Sequence, residues 1–218
     1  MFSDSALHFL ESGKLTFASA IGLSLSKEGF ARFYKNMPDY RERIILRPQQ
    51  ISNSPEIIRR LGVIAMNTAL EVDLYGHVNS SHVNGSRIVN GIAGSGDFLR
   101  NSFISIVELP SIRKTQFGGW ISTIVPMCPH VDHTEHDIDV IVTEQGLADL
   151  RGLTPVQRAR EILKVVHPMF KDQLTAYLDD SDQACMTQEA MHEPHQLRKA
   201  FAMHINMMEK GTMVLDHW

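Results

Sequence analysis

At 218 residues, 43% of them apolar, the chain is long enough to bury a core, and no apolar run approaches the ~20 residues of a membrane span. A net charge of −4 gives no basic footprint for nucleic acid. Two cysteines, Cys128 and Cys185, stand far apart and outside any CxxC pattern, which argues against a disulfide framework or a cysteine zinc site and fits a reducing compartment.

The first residues, MFSDSALHFLESG, predict a helix capped by Ser3 or Asp4 and ended by Gly13 in the left-handed conformation. KLTFASAIGL and RIILRP are short β-rich runs bounded by turn residues. SPEIIRRLG predicts a short helix with Ser54 as cap, Pro55 at its first position and Gly62 closing it. From Val63 to Ile112, β-branched runs broken by Gly and Asn predict strands and tight turns, with no helix evident after the glycines of NGIAGSGDF. WISTIVPM and DIDVIVTEQG are two further strands. LTPVQRAREILKVV opens a helix in which Thr154 and Gln157 form a capping box around Pro155. These elements predict an α/β domain with a mostly helical C-terminal tail. The expected domain is one, residues 1–218, with an α/β core to about residue 160 and a mainly helical tail over 161–218.

Three strings carry candidate chemistry. In NGIAGSGDF the glycines let backbone approach a ligand and line up amide N–H groups for an anion, although the string is no GxGxxG fingerprint; a Gly-rich turn is the competing reading. In TEQG, Glu144 falls where a buried strand runs out into a loop, the place where α/β sheets bind ligands, and a partner at Arg151 or the backbone is the plain alternative. HVDHTEHD gathers His130, His133, His136 and Asp137, which suits zinc by ligand type. Its i, i+3, i+6 spacing converges on one ion in neither helix nor strand, so the expectation is a polar network and no metal. Glu71 and Asp73 in EVDLYGH predict a solvated or salt-bridged face, the methionines and histidines of MHEPHQLRKAFAMHINMMEKG a packed amphipathic helix, and Cys128 a structural thiol.

Taken together, LRPQQISNSPEIIRRLGVIAMNTALEVDLYGHVNSSHVNGSRIVNGIAGSGDF and VPMCPHVDHTEHDIDVIVTEQGLADLRGLTP resemble the C-terminal domain of the acetyl-CoA hydrolase/CoA-transferase family, and in texture its succinyl-CoA:acetate CoA-transferases. The resemblance implies a CoA-transferase-like α/β fold, an open mixed sheet with flanking helices and a helical C-terminal tail, and movement of CoA between acyl-CoA and small carboxylates. In that chemistry a glutamate attacks the thioester to give a mixed anhydride, the released thiolate forms a glutamyl-CoA thioester, and a carboxylate or water completes transfer or hydrolysis. Position by position it implies Asn90 and Gly94 as CoA contacts, with Ala93 where the family has glycine, Lys114 for the CoA phosphates, and Asn53 and Glu144 as polar groups lining the active site. The GGWIS loop departs in length from the family pattern. The nucleophilic glutamate of the family stands just before a stretch similar to FSDSALHFLESG, so it is expected to lie outside this chain, which is expected to be inactive alone. The resemblance further implies no permanently bound cofactor, acyl-CoA and small carboxylates as partners, a homodimer or an N-terminal half chain as protein partner, and a cytoplasmic or, in a eukaryote, mitochondrial location.

Overall fold

The computed structural model describes residues 1–116, 118–186 and 192–218. The chain divides into two compact units, Met1–Leu61 and Gly62–Trp218, a boundary that no composition shift marks in the sequence and that the expectation of one domain did not include.

The first unit comprises β1 (Phe2–Ser3), α1 (Asp4–Glu11), β2 (Ala18–Ala20), β3 (Leu23–Ser24), α2 (Lys27–Lys35), α3 (Met37–Tyr40), β4 (Ile44–Leu46), α4 (Gln49–Ser52) and α5 (Pro55–Leu61). Its strands pair in parallel, β1 with β3 and β2 with β4. A small core of Phe2, Leu7, Leu10, Ala20, Phe33 and Tyr40 holds it. Ser3 stands at the N-cap of α1 without a side-chain capping bond. The Asp4 carboxylate instead accepts from the Ser26 amide and hydroxyl (2.8 and 2.9 Å), and Ser26 in turn caps α2 by accepting from Gly29 N. Gly13 and Gly62 adopt the left-handed conformations that the helix stops require.

The second unit continues with β5 (Ile64–Thr68), β6 (Glu71–Asp73), β7 (Val78–Asn79), β8 (His82–Val83), β9 (Arg87–Ile88), α6 (Ser95–Asn101), β10 (Ile104–Glu108), β11 (Ile112–Lys114), β12 (Trp120–Ser122), β13 (Ile124–Val125), β14 (Val140–Thr143) and β15 (Gly146–Asp149). The helical tail follows as α7 (Pro155–Ile162), α8 (Pro168–Met186) and α9 (Ala202–Lys210). The expected mixed sheet is present: order β15-β14-β10-β5, with β5, β10 and β14 parallel and β15 antiparallel. Its inner face alternates as strand geometry demands, burying Ala65, Val107, Ile141 and Ala148 in the main core. Asp139 fixes register by a reciprocal clamp: Ser105 N donates to its carboxylate (2.9 Å) and its own amide donates to Ser105 Oγ (2.8 Å). α7 starts with the Thr154–Gln157 capping box read from the sequence.

Three expectations are corrected. A helix, α6, does follow the glycine-rich loop; Gly96 inside it weakens helix propensity and hid it from a pattern reading. Glu71 and Asp73 do pair with histidines, His204 and His77, but at 8% and 1% exposed they are buried and form no solvated face, their acceptors being met by the chain's own donors. The Met/His run is helical only over Ala202–Lys210 within residues 192–211; Met191, like the Cys185 side chain, lies outside the described residues. Among the described residues, no helix is long and apolar enough to cross a membrane.

Candidate functional site: the carboxyl ends of the parallel strands

Parallel strands collect ligand sites at their carboxyl ends, where loops leave the sheet. Thr68 and Glu108 are register partners at the ends of β5 and β10, and both line a cavity of about 360 Å³ together with Ala69, Leu70, Ser80, Asn90, Pro110 and Arg113. Arg113 Nη2 donates to Ala69 O (3.2 Å), which leaves the rest of its guanidinium at the exposed rim. Asn90, the expected CoA contact, is therefore a cavity residue.

The third parallel strand, β14, ends at Thr143, so Glu144 is the first residue beyond it. Its carboxylate is gripped by one buried residue: Ser111 N donates to Oε2 (2.8 Å) and Ser111 Oγ donates to Oε1. Gln145 Nε2 adds a weaker contact at 3.3 Å. Partial burial pushes the Glu144 pKa up, but the Ser111 hydroxyl and amide pull it down to about 2. Ser111 follows Pro110 of the cavity wall, so a single peptide ties Glu144 to the cavity. The alternative partner, Arg151, pairs instead with Asp149 (2.7 Å).

The other expected residues lie as follows. Lys114 is exposed on β11, its ammonium 5.4 Å above the Trp120 ring of the paired strand β12, a cation–π contact that leaves the charge in solvent. Gly94 is the N-cap of α6 with an ordinary negative φ of −88°; Ala93 is the loop residue in the left-handed region, at φ 45°. Asn53 belongs to the first unit, where it ends α4 with its amide bonded to Gln49 O (2.8 Å). Ser111, Glu108 and Arg113 were not singled out from the sequence. A serine after proline carries no signal until its partner, 33 residues away, is in place.

The histidine-rich string disperses. His133 is fully buried and meets Ser95 Oγ (2.8 Å); His136 is exposed and meets Glu135 Oε1 (2.9 Å); Asp137 meets Arg100 (3.0 Å). His130 instead joins His82 and Asp132, whose ligand-type atoms lie within 4.8 Å of one another. These atoms are already spent on hydrogen bonds. His130 Nε2 meets Asp132 Oδ1 (3.2 Å), His82 Nδ1 meets Ser81 Oγ (2.7 Å), and Asp132 accepts from the Ser80 amide (2.7 Å) and the Ser81 hydroxyl. The two imidazoles stand with centroids 3.7 Å apart and planes tilted by 35°, whereas rings radiating from one zinc would stand about 5 Å apart. The arrangement is a hydrogen-bonded polar cluster.

Behind it lies a second, closed network. Asp73 accepts from the amides of Tyr75, Gly76 and His77 (3.0–3.1 Å), from Cys128 N (3.3 Å) and from His77 Nδ1 (3.1 Å). His77 Nε2 reaches Glu135 Oε2 (2.9 Å). The hydrogen bond that His77 donates to Asp73 outweighs burial and, with the nearby acidic charges, raises the His77 pKa to about 9. Glu71 likewise accepts from Asn79 (2.7 Å) and His204 (2.9 Å), tying α9 to β6. Burial pushes the Cys128 thiol well up, consistent with a structural role.

Comparisons with known proteins bear on the family and the fold. Residues 29–178 match the sequence profile of the acetyl-CoA hydrolase/transferase C-terminal domain. The acetyl-CoA hydrolase of Yarrowia lipolytica is 53% identical over 221 residues, and that of Schizosaccharomyces pombe 54% over 220. Each alignment covers 100% of this chain but 42% of the relative, so the chain spans well under half the length of the curated relatives it matches. Among solved structures, RipA from Yersinia pestis aligns with a TM-score of 0.68 at 27% identity, covering 85% of this chain and 42% of RipA. A 4-hydroxybutyrate CoA-transferase from Porphyromonas gingivalis aligns at 0.62 and 27% identity, covering 83% and 44%. The chain belongs to the acetyl-CoA hydrolase/transferase C-terminal domain family.

Proposed function

We propose that this chain forms the C-terminal part of an acetyl-CoA hydrolase or CoA-transferase site, and that it does not turn over acyl-CoA by itself. Glu144 carries the reading: a solvent-facing carboxylate at the end of a parallel strand, kept ionised by Ser111. With a pKa of about 2 it has no proton to donate near neutrality, so it serves as an anionic acceptor that orients the water or acceptor acid, not as a general acid. Asn90 and Gly94 contact CoA at the glycine-rich loop, and Lys114 meets a CoA phosphate as a flexible point charge. The chain spans 42% of the acetyl-CoA hydrolases it matches, so a complete site, with the nucleophile that would form a glutamyl-CoA thioester, draws on a longer protein or on a partner half chain. CoA is substrate, and the reaction draws on no permanently bound cofactor. The site operates in the cytoplasm or a mitochondrion.

Acetyl-CoA hydrolysis and acetyl-CoA:succinate exchange by the purified chain test this directly. No turnover is expected; turnover abolished by Glu144→Ala would sink the claim of inactivity while keeping Glu144 in the site. Addition of an N-terminal half is expected to produce turnover in the wild type and not in Glu144→Ala. Calorimetry with CoA is expected to show binding that weakens in Lys114→Ala and with rising salt. Absence of CoA binding by the wild-type chain would remove the assignment of the loop and of Lys114.

A further inference from the structure

His133 is 0% exposed, yet its ring reaches the glycine-rich loop: Nε2 stands 2.8 Å from Ser95 Oγ, which itself lies 2.6 Å from Ile92 O. The other ring nitrogen, Nδ1, is buried with no hydrogen-bond partner. Proton accounting assigns the tautomer. Ser95 Oγ has one proton, and its 2.6 Å contact with Ile92 O, which can only accept, requires that proton, so Oγ must accept from the ring. Nδ1 therefore carries the lone pair, Nε2–H donates to Ser95 Oγ, and the Ser95 proton goes to Ile92 O. This direction matters chemically. A histidine that activates a serine must accept its proton, and here it donates, so the pair is no nucleophile–base dyad.

The peg is rigid at its base. His133 exchanges two backbone hydrogen bonds with Val78 (N–H to O 3.1 Å, O to N–H 2.9 Å). The loop it meets contains a residue that gains from external support, Ala93 in the left-handed region. The ring also packs under the start of α6, where a Cβ on Gly96 would lie 3.7 Å from His133 Cε1. We propose that His133 is a positioning residue, a fixed peg that holds the loop from Asn90 to Ser95 in the shape that receives CoA. Burial pushes the imidazole pKa down, while the Asp132 and Asp137 carboxylates pull it up and Arg100 opposes them; the net is downward, which favours the neutral ring.

The functional half of this inference rests on the CoA assignment of the loop; the direction of the hydrogen bond does not. Nitrogen NMR of 15N-histidine-labelled chain reads the tautomer, and calorimetry with CoA reads the consequence in the wild type, His133→Gln, His133→Leu and Ser95→Ala. The wild type is expected as the Nε2–H form. His133→Leu and Ser95→Ala are each expected to weaken CoA binding about tenfold, and His133→Gln, which keeps a donor at the ε position, to bind within about threefold of wild type. The double variant is expected to lose no more than either single. An Nδ1–H tautomer overturns the peg. So does CoA binding unchanged in Ser95→Ala, a variant that leaves the buried ring in place should His133→Leu fail to fold. A wild-type chain in the Nε2–H form that binds no CoA overturns the CoA assignment of the loop and the peg's service to it, and leaves the bond direction standing.

Discussion

Asp73 and Glu144 are both carboxylates at the carboxyl ends of strands, yet the fold treats them in opposite ways. Asp73 is 1% exposed and encircled by four backbone amides and an imidazole, all from its own chain. Glu144 faces solvent and receives both of its short contacts from one serine, with the rest of its surface open. A saturated, buried anion organises a turn and a neighbouring histidine; it has no capacity left for a substrate. An anion gripped from behind keeps its front available. The difference separates a structural carboxylate from a candidate functional one more sharply than residue type or spacing.

The comparison can be broken by removing each carboxylate's donors. Asp73→Ala has the largest expected effect: it leaves the amides of Tyr75, His77 and Cys128 and the His77 ring without their acceptor, Gly76 N keeping the residue 73 carbonyl, and costs about 3–5 kcal/mol in urea unfolding. A loss under about 1 kcal/mol would show that water replaces the carboxylate and that the site is less closed than its burial implies.

Next in size is a pH slope from His77. Its pKa rises from 6.5 to about 9 on folding, so the stabilisation is fully present below pH 6.5 and is lost as pH rises through 9. The shift corresponds to about 3 kcal/mol at most. Wild type is expected to lose stability between pH 6.5 and 9 relative to His77→Gln; parallel curves for the two proteins would refute the pairing.

Ser111→Ala sharpens the Glu144 side. The amide grip survives and the hydroxyl grip does not, so the carboxyl pKa should move from about 2 part of the way toward 4.5. Carboxyl-carbon NMR titration reads this, and no movement would mean that Ser111 Oγ does not hold the anion. The smallest effect is reserved for Asp149→Ala. It removes an exposed pair with Arg151, and the denaturant midpoint should stay where it is.

Much of the local structure was legible because it depends on neighbours in sequence. The Thr154–Gln157 capping box, Pro55 at the start of α5, and the stops at Gly13 and Gly62 each involve residues within a few positions. The strand DVIV and the exit of Glu144 from it were equally local. The resemblance, spread over two long strings, supplied the family. Partners distant in sequence were not legible. Ser111 and Glu144 are 33 residues apart, Ser95 and His133 are 38, and Glu71 and His204 are 133. In HVDHTEHD, residue types alone suggested zinc and the spacing counselled against it, but only tertiary structure sent each histidine to its own partner. Composition and periodicity therefore determined most of the helices and strands, though not α6, and the resemblance supplied the mixed sheet. Burial decided which charges became structure and which stayed available, because the worth of a charge depends on the donors that the folded chain brings around it.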